Sequence, residues 1–507
     1  MEKLRPELFN SLRGYNSKQL IKDVTAGLIV AVIALPLSIA LALASGVNPE
    51  QGIYTAIIAG FLISFLGGSR VQIAGPTAAF ATIVAGIVAE KGMSGLVLDS
   101  VLAGIFLILM GVFKLGSLIQ YIPYTITVGF TAGIAVTIVV GQLKDFVGLT
   151  YPAGTTAVET MEKLEVFFAN LGTFNGWAFL VGAVCLAILI VWPYVSKKIP
   201  GSLIAIIVSI LMVKLLKLPV NTIGDLYTIS SSLPSLTLPE LSLGAIRDAI
   251  PDAFTIAVLA GIESLLSCVV ADGMIGAKHN SNMELIAQGV GNIGSVLFGG
   301  IPATGAIART AANIKNGGRT PIAGMVHAVV LLLVLIVLMP YAALIPMPAI
   351  AAILLMVAYN MSEWRHFVEL CKTAPATDII VLVATFALTV IFDLVIAIAA
   401  GMILSFLFFV SRMHGAASVT RSDESDDAHD VYTVQGPIFF GATQQIAAIA
   451  LNGRDIVIDM AAVPAVDATG ERSLAALRAA CDKAGVELKL INLTPQVEKA
   501  LKRAHQA

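Results

Sequence analysis

The chain has 507 residues, 57% hydrophobic and only 13% charged, with a formal net charge of −2. Soluble domains carry roughly 25% charged residues, so a soluble enzyme is excluded, and a balance this close to neutral argues against a nucleic-acid partner. Four scattered cysteines without CxxC spacing and six unclustered histidines give no metal centre, disulfide framework or cofactor motif.

The first 23 residues are polar and read as a cytoplasmic segment rather than a cleavable leader, because the apolar run that follows, 24–44, is long enough to span a bilayer. Further apolar segments follow at 52–67, 76–89, 95–113, 122–141, 174–194, 201–217, 251–271, 284–299, 303–314, 321–339, 345–359, 376–392 and 394–411, making fourteen. Two of them, 76–89 and 303–314, are too short to cross roughly 30 Å as helices. Each begins at or just after a proline, Pro76 or Pro302. With a cytoplasmic N-terminus, fifteen Lys and Arg side chains fall inside and six outside, the expected positive-inside bias, and the C-terminus returns to the cytoplasm.

A shift of 226 residues lays Ala31–Ala34 on Ala257–Ala260, Ser38 on Ser264 and Pro76 on Pro302. Both short segments fall in register, so residues 24–217 and 251–411 read as repeats of seven segments. An odd number per half inverts the second, and inverted repeats with paired broken helices point to a transporter's midplane site. The membrane domain is expected over 24–412. Beyond it, 413–430 is polar and acidic and reads as a linker. Residues 431–507 alternate strand and helix patterns: strands at Tyr432–Val434, Ile438–Phe440, Asp455–Met460 and Glu487–Ile491, and helices near Thr443–Leu451, Gly470–Ala484 and Pro495–His505. This alternation predicts a small soluble α/β domain.

The stretch Gly299–Thr310, GGIPATGAIART, places Pro302 where it suits the first turn of a helix. Unpaired N–H groups around Ala303–Ala306 would then open into a cavity at the positive end of the helix dipole. The segment starting Gly75-Pro76-Thr77-Ala78-Ala79-Phe80 would face it, and two opposed helix starts make an anion site; the plainer reading is a Pro/Gly kink in two spanning helices. Arg309 adds full positive charge in a region where charge is expensive. It could also pair with Glu263 or snorkel to the cytoplasmic face. Glu263, the sole acid of Ala253–Ala271, can take up a proton or hold a cation, or only hold Arg309. Asp272, Lys278, His279 and Asp393 read as solvated or interfacial, and the lone His327 as a group bonded to a neighbour. No nucleophile–His–acid set is present, so no enzyme activity is expected.

The stretches LPLSIALALASG (Leu35–Gly46), GGSRVQIAGPTAAF (Gly67–Phe80), AGIESLLSCVVADGM (Ala260–Met274), GGIPATGAIARTAANIKNGG (Gly299–Gly318) and AAILLMVAYNMSEW (Ala351–Trp364) resemble the SulP (sulfate permease) family of anion transporters, related to solute carrier family 26. The C-terminal domain resembles a STAS domain. The resemblance implies a uracil-permease-like polytopic α-helical fold of 14 transmembrane segments in two inverted repeats. Segments 1–4 and 8–11 would form a mobile core, and 5–7 and 12–14 a gate, in a homodimer of the bacterial inner membrane. It places the substrate at Thr77, Ala78, Ala79, Phe80, Thr304, Gly305, Ala306, Ala308 and Arg309, with Pro36 and Ser38 of the first segment. Glu263 falls at the family's acidic position. The wording around it looks closest to bacterial proton-coupled C4-dicarboxylate carriers, whereas sodium-coupled bicarbonate members tend to have aspartate there. The Leu37-Ser38 pair departs from the glutamine common in other members. In the STAS-like domain, Val466-Asp467-Ala468-Thr469-Gly470 matches a loop phosphorylated in relatives, at Thr469; a plain helix cap is the alternative.

The expectation is therefore a secondary transporter moving organic dianions such as fumarate or succinate with protons (alternatively Na+) by an elevator-like motion, with no cofactor. Its C-terminal domain would meet a cytoplasmic partner. A sulfate or bicarbonate carrier, an uncoupled anion channel and a membrane-tethered signalling module are the alternatives.

Overall fold

Long apolar segments in lipid must satisfy every backbone group internally, which leaves helices as the solution for runs of this length. The computed structural model describes residues 4–117, 123–152, 155, 157, 159–196, 199–239, 242–392, 394–422, 425, 428–439, 443–449 and 451–503. Lys3, Lys197, Lys198, Asp393, Phe440 and His505 lie outside these described residues. The chain divides into two compact units, Met1–Gly401 and Met402–Ala507.

In chain order the first unit contains α1 (Glu7–Ser11), α2 (Ser17–Ala44), α3 (Pro49–Leu66), the two-residue strand β1 (Ala74–Gly75), α4 (Ala78–Val112), α5 (Tyr124–Val147), α6 (Thr160–Ala169), α7 (Gly176–Val195), α8 (Gly201–Leu216) and α9 (Ile223–Leu226). The second half follows with α10 (Leu243–Ile275), α11 (Ser281–Leu297), β2 (Thr304–Gly305), α12 (Ile307–Lys315), α13 (Ile322–Ala342), α14 (Met347–Met361), α15 (Trp364–Thr373) and α16 (Ala376–Ile391), and α17 (Leu394–Ala416) runs past Gly401 into the residues of the second unit. Among the described residues, nine helices are long and apolar enough to cross a membrane, and α8 and α16 are shorter apolar ones. The apolar segments read from the sequence fall on these helices, except that 303–314 opens with β2 before α12 begins. Segments 76–89 and 95–113 are joined in α4 and separated by Gly92, whose φ of 67° and ψ of −174° interrupt the helix.

The helices pack in two groups. α11 runs along α3 and α4, α10 along α4, and α13 along α2 and α3, while α5 packs on α14 and α16, and α7 on α8 and α14. The first group holds segments 1–4 and 8–11, and the second the remainder, the core and gate division that the resemblance implies. β1 and β2 pair antiparallel, Ala74 with Gly305 and Gly75 with Thr304, so the two halves meet where their chains cross.

The second unit carries a four-stranded sheet in the order β3 (Ser418–Arg421), β4 (His429–Gln435), β5 (Asp455–Ala462), β6 (Leu488–Ile491). β3 is antiparallel to β4, and the other two pairs are parallel. Helices α18 (Thr443–Ala447), α19 (Ala468–Ala484) and α20 (Pro495–Arg503) complete it. Its core is built from Ile456, Ile458 and Met460 on alternate positions of β5, with Leu474, Leu477 and Val497 from the helices.

Three expectations are corrected. The linker 413–430 contains a strand, β3: the polar run hides the half-buried Val419 and the exposed Thr420, which pair with Val434 and Thr433 of β4. Ile438 forms an isolated bridge to Val466 rather than a strand. Pro302 is not in the first turn of α12; four residues separate it from Ile307, because β2 comes between.

Candidate functional site

Both half-helices start at the crossover. α4 begins after Thr77, whose φ of −127° and ψ of 160° are extended, and α12 after Ala306 at −98° and 107°. Neither helix start has a side-chain cap hydrogen bond, so their first N–H groups keep the dipole's positive end uncovered. The donors expected free around Ala303–Ala306 are instead used to build the crossover. Ala303 N donates to Asn292 Oδ1 at 2.8 Å, Gly305 N to Ser264 Oγ at 3.0 Å, and Ala306 N to the Ile73 carbonyl at 2.8 Å. Extended backbone cannot bond to itself locally, so side chains from α10 and α11 satisfy it.

Arg309 sits in the first turn of α12 and is buried. Its Nη2 donates to the Pro76 carbonyl at 2.5 Å, reaching from one half-helix to the foot of the other, while Nη1 has no partner among the described residues. Gly75 permits this close approach: a Cβ there would lie 2.6 Å from Nη1. Glu263 and Arg309 form no ion pair among the described residues. Glu263 Oε2 accepts from Thr77 Oγ1 at 3.0 Å, which puts the carboxylate beside the start of α4.

The structure thus brings Thr77, Glu263 and Arg309 to one crossover, with Ala78 and Ala79 opening α4 and Phe80 fully buried behind them. Thr304 Oγ1 lies 2.7 Å from Ser264 Oγ and 3.2 Å from the Ala260 carbonyl, so it faces α10 and ties the crossover down. Ala308 is exposed beside the buried Arg309. Pro36 and Ser38 are buried in α2, the Ser38 hydroxyl without a partner, and no hydrogen bond among the described residues links either to the crossover. Thr469 is exposed in the first turn of α19, where Asp467 caps the helix by accepting from Gly470 N at 2.7 Å.

Several supporting residues escaped the sequence reading. Ser264 was visible as the repeat partner of Ser38. Glu284, fully buried in α11, accepts from Gly68 N, Ser69 N, Gln72 Nε2 and Gln288 Nε2 at 2.7–3.2 Å and anchors the loop leading into β1. Asp23, expected in a cytoplasmic segment, is fully buried in α2 and accepts from Tyr15, Gln19, Arg319 and Thr320, fastening the chain that leaves α12. Their polar identity at segment edges was the only cue. A cavity of about 200 Å³ between α5, α7 and α14, lined by Lys144, Tyr151 and Asn175, lies away from the crossover.

Residues 20–385 match the Sulfate permease family, and residues 422–506 the STAS domain. The protein YvdB of Bacillus subtilis (strain 168) is 41% identical over 96% of this chain and 94% of its own length. The Bicarbonate transporter BicA of Picosynechococcus sp. is 31% identical over 94% of this chain and 88% of its own. The transmembrane domain of a cyanobacterial BicA superposes with a TM-score of 0.69 over 76% of this chain and 98% of that one, at 31% identity. The murine Solute Carrier 26 family member A9 anion transporter, inward-facing, gives 0.88 over 99% and 90% at 20% identity, a likeness of fold.

Proposed function

The chain belongs to the sulfate permease family and is a multi-pass anion transporter with a STAS domain, and from that premise we propose that it takes up C4-dicarboxylates such as fumarate or succinate together with protons. The anion sits between the starts of α4 and α12, recognised by Thr77, Ala78 and Ala79 on one side and by Ala308 and Arg309 on the other, while Phe80 backs the site and Thr304, Gly305 and Ala306 hold the crossover in place. Glu263 carries the proton. The observation behind the reading is the crossover itself: two uncapped helix starts joined strand to strand, with one buried arginine bridging them. Positive dipole ends and a guanidinium favour a multiply charged anion, and an arginine's five N–H donors leave some for a carboxylate after Pro76 is served.

Proton coupling rests on Glu263 beside Thr77. A carboxylate there can be neutralised by a proton as the anion arrives, and the same carboxylate next to a hydroxyl is also a ligand set suited to sodium. A second reading, bicarbonate or sulfate transport, is favoured by the names of relatives, one called a bicarbonate transporter and another a sulfate transporter, with sodium at Glu263 and Thr77 as its driving ion. The protein works as a homodimer in the bacterial inner membrane with both termini cytoplasmic. Its STAS domain offers a docking face to a cytoplasmic partner, and Thr469 is its modifiable hydroxyl.

The test is anion binding and uptake by Arg309→Ala in purified full-length protein. Loss of most affinity with an unchanged melting profile is expected; wild-type KM would overturn the site.

A further inference from the structure

One polar side chain of the first unit has no part in this scheme. His327 lies in the second turn of α13, fully buried, and neither Nδ1 nor Nε2 has a hydrogen-bond partner among the described residues. Its ring rests on α3 at Gly60, where a Cβ would stand 3.7 Å from Nδ1 and 3.3 Å from the Ala74 carbonyl oxygen. The next residue of β1 is Gly75, whose own missing Cβ leaves room for Arg309 Nη1. The His327 ring therefore packs on α3 beside Ala74, and the Arg309 guanidinium packs on Gly75, the next residue of the same short strand.

Buried polar groups almost always have partners, and these two are complementary. Nη1 is a buried donor without an acceptor, and a neutral imidazole keeps one nitrogen lone pair free. The surroundings offer the ring no competing charge. α3 presents Gly60, and one turn on Ser64, whose hydroxyl is also unpartnered and packs against Gly324 of α13. α2 presents Gly27 to Ala323 and Val326, and its one acid, Asp23, is fully engaged elsewhere. α12 presents Arg309.

Resting on the reading of the crossover as the anion site, we propose that His327 is a positioning residue: as a neutral acceptor it holds Arg309 Nη1 through one bridging water. The guanidinium is then fixed at two points, Nη2 on the Pro76 carbonyl and Nη1 on His327, and its remaining N–H groups stay aligned for the anion.

The experiment measures fumarate binding to purified full-length His327→Phe, His327→Gln and Arg309→Ala. His327→Phe fills the space without an acceptor and is expected to weaken binding about tenfold, the effect of one hydrogen bond to a charged group. His327→Gln restores an acceptor and is expected to recover most of that loss, which a purely packing role would not produce. Wild-type affinity in His327→Phe, or no rescue by glutamine, overturns the proposal. If Arg309→Ala binds normally, the crossover reading itself fails; if it loses binding while His327→Phe does not, only the positioning role falls. Histidine-labelled 15N NMR of the wild type decides independently of any variant's folding. A ring that stays neutral from pH 5 to 8 with one hydrogen-bonded acceptor nitrogen is expected, and a ring titrating near the ordinary value of about 6.5 contradicts it.

Discussion

In the proposed coupling Glu263 is the proton carrier, because its carboxylate is in direct contact with the start of α4. Thr77 Oγ1 donates to it at 3.0 Å, so its protonation state is felt where the anion binds. Glu263→Gln mimics the neutral form: it is expected to bind and exchange anion in counterflow but not to accumulate it on a pH gradient, and gradient-driven accumulation by this variant would remove Glu263 from the mechanism. Asp23 makes a different prediction. Removing its carboxylate strands the buried hydroxyl of Thr320 and the part-buried donors of Arg319 and Tyr15, so Asp23→Ala should cost on the order of 2 kcal/mol, read as a lower melting temperature in detergent. Arg309 and Glu263 were legible because an isolated charge in an apolar run stands out. Asp23 and Glu284 were not, because a charge at the edge of an apolar run looks like the solvated flank that usually occupies such a position, and only the fold shows what it fastens.

The crossover elements are short, and their geometry is held from outside. Ser264 accepts from Gly305 N at 3.0 Å and shares a hydrogen bond with Thr304 at 2.7 Å. Ser264→Ala should therefore loosen β2 and weaken anion binding about fivefold, roughly the worth of one neutral hydrogen bond, with the rest of the helical fold retained; binding at wild-type strength would show that β2 needs no such tether. The sequence revealed that two half-helices exist and that they correspond, through their length and the register of Pro76 and Pro302. It did not reveal β1 and β2, because a two-residue strand has no periodicity to detect, and it therefore moved the start of α12 back to Pro302. In the second unit the polar β3 was hidden in the same way. The buried Asp430 of β4 belongs to this scale too. Burial pushes its carboxyl up, but the hydrogen bonds of Asn452 and Arg421 and the charges of Arg421 and Arg454 outweigh that and hold it below the ordinary carboxylate range. A depressed carboxylate adds stability above about pH 4 and loses it as pH falls through its lowered value. Asp430→Asn should thus lower the melting temperature of the STAS domain at pH 7, with the gap closing in strong acid.

For the whole molecule, the crossover proposed as the anion site lies before Gly401, within the first unit. A chain ending at Ala416, which removes β3 with its sheet, is expected to bind anion still, and a folded truncation that does not bind would make the second unit part of the site. Energetics set the remaining question. Moving a dianion inward against a negative-inside potential costs about 2.3 kcal/mol per charge per 100 mV, thus about 4.6 kcal/mol for two charges at 100 mV, which the proposed proton coupling would offset. Uptake of labelled fumarate by the purified full-length protein in liposomes, with an imposed inward proton gradient and no sodium, tests this most directly. Accumulation above equilibrium that vanishes when the gradient is collapsed, competed by succinate, is the predicted result; a sodium requirement with bicarbonate or sulfate as the accumulated anion and no response to the proton gradient would contradict it.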